Sequence, residues 1–186
     1  MTSTTATRTT SAVDAALRDE ALRGIVTATS SAVAEDATRA GVTFRATGRA
    51  TGAVATDVRS RQHEYVVDEP ASLGGDDSAT NPVEYALGAF IGCQVVTYRF
   101  WAAQLGIQVD DIEIDAVGDL DVRGFFGLDD SVRAGFSEIR LDVRITGPES
   151  AQRYEELQAA VDAHCPVLDL FANTTPVAST VTTITR

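Results

Sequence analysis

The spacing of hydrophobic and polar positions along this chain changes its period several times. Over residues 12–40 it is helical. Val13, Ala16, Leu17, Ala21, Leu22 and Ile25 fall roughly on one stripe, and residues 30–40 predict a second helix. From Val42 the period drops to two. Residues 42–47 alternate, Gly48 and Gly52 punctuate, residues 53–58 alternate again, and 64–67 form a third short run. Three short strands joined by brief turns predict an antiparallel meander. Pro70 and Gly74-Gly75-Asp76-Asp77 then predict a loop. Asn81 is a good helix cap, Pro82 suits the first helical position and Gly106 a helix stop, so a helix is predicted from Pro82 to about Leu105. Val83, Ala86, Leu87, Ala89, Phe90, Ile91, Val95 and Val96 make it apolar nearly all round. Such a helix is buried on several sides, and one small domain rarely covers it completely, which implies a partner subunit over part of it.

Alternation returns at residues 111–122 and 136–146, with Ile112, Ile114 and Ala116 on one face of the first strand and Ile139, Leu141, Val143 and Ile145 on one face of the second. The loop 123–135 separates them, and Gly147-Pro148 breaks the chain. Residues 151–164 predict an amphipathic helix with Tyr154, Leu157 and Val161 inward. Cys165-Pro166 interrupts it, because the residue before a proline leaves the helical region. A short helix at 167–172 and a last valine- and threonine-rich strand at 176–184 complete the pattern. There is no internal repeat. The organisation expected is an extension at 1–40, partly disordered or helical, with its Thr/Ser-rich residues 1–11 disordered, followed by a main domain at 41–186.

The 186 residues suit one domain with an appendage, and a hydrophobic fraction of 44% is enough for a core. The nearest approach to a membrane span, residues 82–98, is too short and is interrupted by Glu84, Gln94 and two glycines. The N-terminus carries no apolar signal core, so a cytoplasmic protein is expected. There, thiols are kept reduced, which disfavours a permanent disulfide and favours a redox or catalytic one. The net charge is −12 and all basic residues are arginine. That balance repels nucleic acid and anionic membrane, so neither is expected as a partner. It fits a surface adapted to high salt, or a GC-rich genome.

Two cysteines remain as candidate chemistry. Free cysteine is also a common small core residue. A reactive thiol needs a cation or a helix dipole to lower its pKa. Cys93 lies mid-helix, so an arginine from elsewhere must serve it. Cys165 precedes Pro166 and a predicted short helix, near whose N-terminus it can sit. Zinc would need two further ligands, and the histidines, His63 and His164, are scattered, so no metal is expected. His63 is expected to be structural or exposed, His164 adjoins Cys165 in sequence but need not face it, and neither is expected to serve as a base.

Asn81-Pro82-x-Glu84, with Cys93 nine residues after the glutamate, resembles the cysteine-bearing helix of the OsmC/Ohr family of thiol-dependent peroxidases. Asp68-Glu69-Pro70 with Gly74-Gly75 is similar to the loop before that helix. Gly118-Asp119-Leu120-Asp121 and Gly135-Phe136-Ser137-Glu138-Ile139 are similar to its strand–loop–strand segment, and Cys165-Pro166-Val167 to its second-cysteine motif. The resemblance spans about residues 42–186 and leaves residues 1–40 outside. It implies an α+β fold in which antiparallel sheets wrap two long central helices of an intertwined homodimer. It also implies a reaction without metal, flavin or haem. Cys93 would attack an organic hydroperoxide and become a sulfenic acid, Cys165 would condense with it to a disulfide, and a dithiol reductant would reopen the bridge.

By the same resemblance the activating arginine belongs to a Gly-Arg pattern in an early strand or turn. Gly48-Arg49 fits best, with Arg45, Arg59 and Arg61 as neighbours that could substitute. The hydroperoxide-resistance subgroup places its glutamate ten residues before the cysteine, which here is Val83. Glu84 is nine before, on the opposite side of the helix and roughly 13 Å away by helical rise. It either acts across the dimer or favours its own helix end. An apolar substrate pocket built by Phe90, Tyr98, Trp101, Phe125 and Phe126 is expected, favouring organic hydroperoxides over hydrogen peroxide. The alternative is a non-catalytic dimer of the same fold, binding a small ligand or linked to stress, with inert thiols.

Overall fold

In the computed structural model, residues 12–185 are described. The expected disorder of residues 1–11 lies outside them. The order is a long helix α1 (Ala12–Glu35), a 3₁₀ turn (Ala37–Ala40), strands β1 (Thr47–Thr51), β2 (Ala55–Ser60) and β3 (His63–Val67), then α2 (Pro82–Leu105), β4 (Asp111–Asp119), a helical turn α3 (Val122–Phe125), β5 (Glu138–Thr146), α4 (Ala151–His164) and α5 (Pro166–Ala172). β1, β2 and β3 form an antiparallel three-stranded sheet, and β4 pairs antiparallel with β5.

α2 runs between its expected limits, for the expected reasons. The Asn81 side chain accepts from the Glu84 N–H at 2.8 Å, and the Glu84 carboxylate accepts from the Asn81 N–H at 3.2 Å. This reciprocal box satisfies two helix-end donors. At the other end Gly106 turns left-handed at φ 62 and its N–H closes on Ala102 O.

α2 is the axis of the protomer: α1, α4, α5 and β4 all pack on it. The core joins Tyr98 and Ala102 of α2 to Ile107, Val109, Leu157 and Val161, flanked by Trp101, Leu105, Ile112, Val143, Ile145 and Tyr154. Tyr154 locks two turns together. Its hydroxyl donates to Gln108 O at 3.0 Å and accepts from Glu149 N at 3.2 Å.

Four expectations need correction. α1 continues through Ser30 as one helix, since no glycine or proline interrupts residues 25–35. Its inner face is also rotated from the expected stripe: Ala15 is buried, whereas Leu17 and Ile25 are exposed. Arg18 and Arg23 hold α1 in place by donating to Val109 O and Ala103 O. The first strand is Thr47–Thr51 rather than 42–47, because the turn at Gly52 sets Thr51 opposite Ala55 and the register runs back only to Thr47. The expected last strand at 176–184 has extended composition but joins no ladder in the protomer, and Val177, Val181 and Ile184 are exposed. A strand exists only against an edge that accepts it.

The meander stands apart from the main body. Tyr85 bridges the gap: its hydroxyl donates to Val66 O at 3.0 Å and its ring lies 5.2 Å from that of Tyr65. The linking loop is ordered by Asp68, whose buried carboxylate accepts from the N–H groups of Asp76 and Ser78 and from the Ser78 hydroxyl. Those bonds, the Ser78 hydroxyl foremost, lower its pKa to about 2.

Candidate active site

Cys93 sits mid-way along α2 and is half-buried. Cys165 caps the junction between α4 and α5 and is buried. The contacts of α2 with α4 and α5 bring the two thiols near enough to influence each other's ionisation. Pro166 makes this possible. It ends the α4 trajectory and starts α5, and the sharp bend sets Cys165 and the Val167 N–H over the α2 thiol.

Burial pushes the Cys93 thiol above its ordinary pKa, and the Cys165 thiol adds to the rise. The Val167 N–H and the Thr97 hydroxyl act in the opposite direction. The Thr97 hydroxyl also donates to Cys93 O at 2.8 Å. None of these partners is a cation. Next to Cys93 in sequence, Gln94 is fully buried, and its side-chain Nε2 has no partner among the described residues.

A cleft of about 500 Å³ opens between the Phe90 turn of α2, β5 and α5, and neither cysteine is in its lining. Phe90, Arg133, Phe136, Leu168 and Phe171 are among the residues that line it. Phe90 is buried against Phe171, ring centroids 5.3 Å apart. Gly118 allows the Phe136 ring to lie where it does, because a Cβ there would come within 2.6 Å of that ring. Most of the lining is apolar, which suits an organic ligand.

Of the expected site residues, Cys93 and Cys165 come near each other, and Phe90 lines the cleft. Tyr98 does not line the cleft: it is 1% exposed and belongs to the core, where burial first, and then Asp162, pushes its phenol up to about 12. Trp101 stacks on His164, centroids 4.3 Å apart. Phe125 and Phe126 are exposed in the protomer. The Asp121 cap and the close backing of Gly124 onto Arg133 O fix the short α3 turn with its rings outside the cleft. Glu84 is engaged in the capping box. Arg49 stands in β1 opposite Asp57, on the detached meander, and is not among the groups that act on Cys93.

Sequence reading missed Thr97, Val167, Phe136, Leu168 and Phe171 as site residues. Thr97 is one helical turn after Cys93, a spacing that could have pointed to it. Phe136 lies inside the Gly135–Ile139 segment. Leu168 and Phe171 sit at helical spacing after Cys165, but nothing in the sequence says which helix they would face. Among the described residues no cluster of three or more His, Cys, Asp or Glu side chains could hold a metal ion. No described helix is long and apolar enough to cross a membrane.

The family model described as OsmC-like protein matches residues 75–180. No curated protein matches the chain. Among solved structures, an OsmC-like protein from Mycoplasma pneumoniae is 18% identical with TM-score 0.61, covering 70% of this chain and 87% of that one. An organic hydroperoxide resistance protein from Legionella pneumophila is 22% identical with TM-score 0.56, covering 70% and 90%. An OsmC-like protein of unknown function from Vibrio cholerae is 13% identical with TM-score 0.57, covering 72% and 96%. At these identities the likeness is one of fold.

Proposed function

The chain belongs to the OsmC-like protein family, and from that premise we propose that it is a cysteine-based peroxidase that reduces organic hydroperoxides. The observation that carries this reading is the electrostatic coupling of two thiols 72 residues apart in sequence (165 − 93 = 72), with an apolar cleft one helical turn away at Phe90 and Leu168. The Cys93 thiolate attacks one peroxide oxygen, the O–O bond breaks and an alcohol leaves. Cys93 becomes a sulfenic acid. The Cys165 thiol then displaces its hydroxyl as water, forming the Cys93–Cys165 disulfide. A dithiol reductant restores both thiols by exchange.

The thiolate needs a cation, and none of the groups that act on Cys93 within the protomer is one. We assign that role to Arg49, acting from a second copy of the chain in a homodimer. The support is twofold. The meander is detached and carries Arg49, Arg59 and Arg61, with Arg45 just ahead of it. α2 meanwhile shows an uncovered stripe of Gly88, Ala89, Gly92 and Val96 alongside Cys93, with open space above both glycines. Small residues at this spacing allow close helix approach, and the arginine would hydrogen-bond the thiolate and the leaving oxygen.

The rival reading is a non-catalytic ligand-binding dimer with inert thiols, and it rests on the raised pKa of Cys93. One experiment separates the two. After stoichiometric cumene hydroperoxide, mass spectrometry should find the Cys93–Cys165 cross-link in wild type, and Cys93→Ser should abolish peroxide consumption. Unaltered free thiols after treatment would rule out the peroxidase.

A further inference from the structure

The peroxidase reading ends in a Cys93–Cys165 disulfide that a reductant must reopen, and the site inferred for that reductant rests on the same reading. Cys165 lines a second cleft, of about 390 Å³, at the elbow between α4 and α5. Its walls include Asp162, His164, Leu168, Asp169 and Asn173, and no residue of α2 is among them. Since α2 carries Cys93, the cleft meets Cys165 on a side that Cys93 does not share. Thiol–disulfide exchange needs such a side, because the incoming sulfur approaches opposite the sulfur that leaves.

The cleft restricts what can use it. Cys165 is 2% exposed, so a bulky thiol is excluded. Asp162 and Asp169 line the approach and no arginine does, in a chain of net charge −12. A thiolate would be repelled from these walls, so the thiol must enter protonated. His164 stands in the same wall. Its Nδ1–H donates to Ala160 O at 2.8 Å, which leaves the lone pair on Nε2, and its ring is held against Trp101. The ionisable groups that share the cleft with His164 are Asp162, Cys165 and Asp169.

We propose that the α4–α5 elbow is the reductant site: a slender uncharged or cationic thiol enters it, gives its proton to His164 and attacks Cys165. The new S–S bond forms as the Cys93–Cys165 bond breaks, and Cys93 leaves as thiolate. The second thiol of the reductant then attacks the mixed disulfide and releases Cys165. The reductant loses two electrons and becomes a disulfide. The protein bridge gains them, and its two sulfurs take up the two protons released.

The test starts from oxidised protein reduced by three thiols of similar length and different charge: cysteamine, 2-mercaptoethanol and 2-mercaptoethanesulfonate. Cysteamine should outpace the sulfonate by about tenfold, and Asp162→Asn with Asp169→Asn should narrow the gap to about twofold. Acid quenching and peptide mass spectrometry should place the first mixed disulfide on Cys165. His164→Phe, which keeps an aromatic ring against Trp101, should slow 2-mercaptoethanol about tenfold near neutral pH and have no effect above the thiol's own pKa. A first mixed disulfide on Cys93, or a charge preference untouched by the Asp replacements, overturns the proposal. If no protein disulfide forms at all, the peroxidase reading fails, yet the site is still testable. In Cys93→Ser protein, a cationic methanethiosulfonate should label Cys165 faster than an anionic one, and Asn173→Trp should slow both; charge-blind labelling overturns it.

Discussion

The Cys93 thiol is held up by burial and by Cys165, while Val167 N–H and the Thr97 hydroxyl act against them. None of these groups is a cation, so the proposed nucleophile calls for one from elsewhere. If Arg49 supplies a charge-assisted hydrogen bond across the dimer, the loss of about 1.5–3 kcal/mol in Arg49→Ala should slow peroxide turnover and Cys93 alkylation roughly ten- to a hundredfold. Alkylation against pH checks it, and unchanged curves would point to Arg45, Arg59 or Arg61 instead. A second prediction concerns Tyr98. Its phenol, pushed up to about 12 by burial and Asp162, ionises more readily in the unfolded chain. The stabilisation is thus present in full below about pH 10 and is lost as pH rises towards about 12. Alkaline unfolding should show a loss of roughly 2–3 kcal/mol across that range, which Tyr98→Phe should abolish.

At the scale of elements, α2 and the turns around it hold the thiols in place. Removing the Asn81 side chain breaks the capping box, and Asn81→Ala should cost about 1 kcal/mol in denaturant unfolding. The turn between β5 and α4 is tighter. A Cβ at Gly147 would run into the Tyr154 hydroxyl and Gln108 O, so Gly147→Ala should cost about 1–3 kcal/mol, with the Tyr154 hydrogen bonds lost first. These sites were legible as Asn-Pro and Gly-Pro punctuation. The start of β1 was not, because residues 42–46 alternate as well as any strand and only the register around Gly52 excludes them.

For the whole molecule, the protomer leaves several large apolar side chains exposed, which the proposed homodimer would cover. Phe44 is 89% exposed, and Phe125, Phe126, Leu128, Val177, Val181 and Ile184 are also exposed. A detached sheet and an unpaired extended tail belong to the same surplus. Sedimentation at micromolar concentration should give about twice 19.7 kDa. Gly92 has open space around its Cα in the protomer, so Gly92→Leu should leave protomer packing intact and shift the protein towards monomer. A dimer unaffected by that change would place the interface elsewhere.

The limits of α2, the two hairpin strands after it and the proline-broken junction at Cys165 were determined by the sequence alone, because caps, proline, glycine and period-two alternation act over a few residues. The nearness of Cys93 and Cys165, the Phe90–Phe171 cleft and the burial of Tyr98 were decided only by tertiary structure. They depend on which faces of α2, α4 and α5 meet, and an apolar face looks the same in sequence whether it covers a core, a cleft or a second copy of the chain.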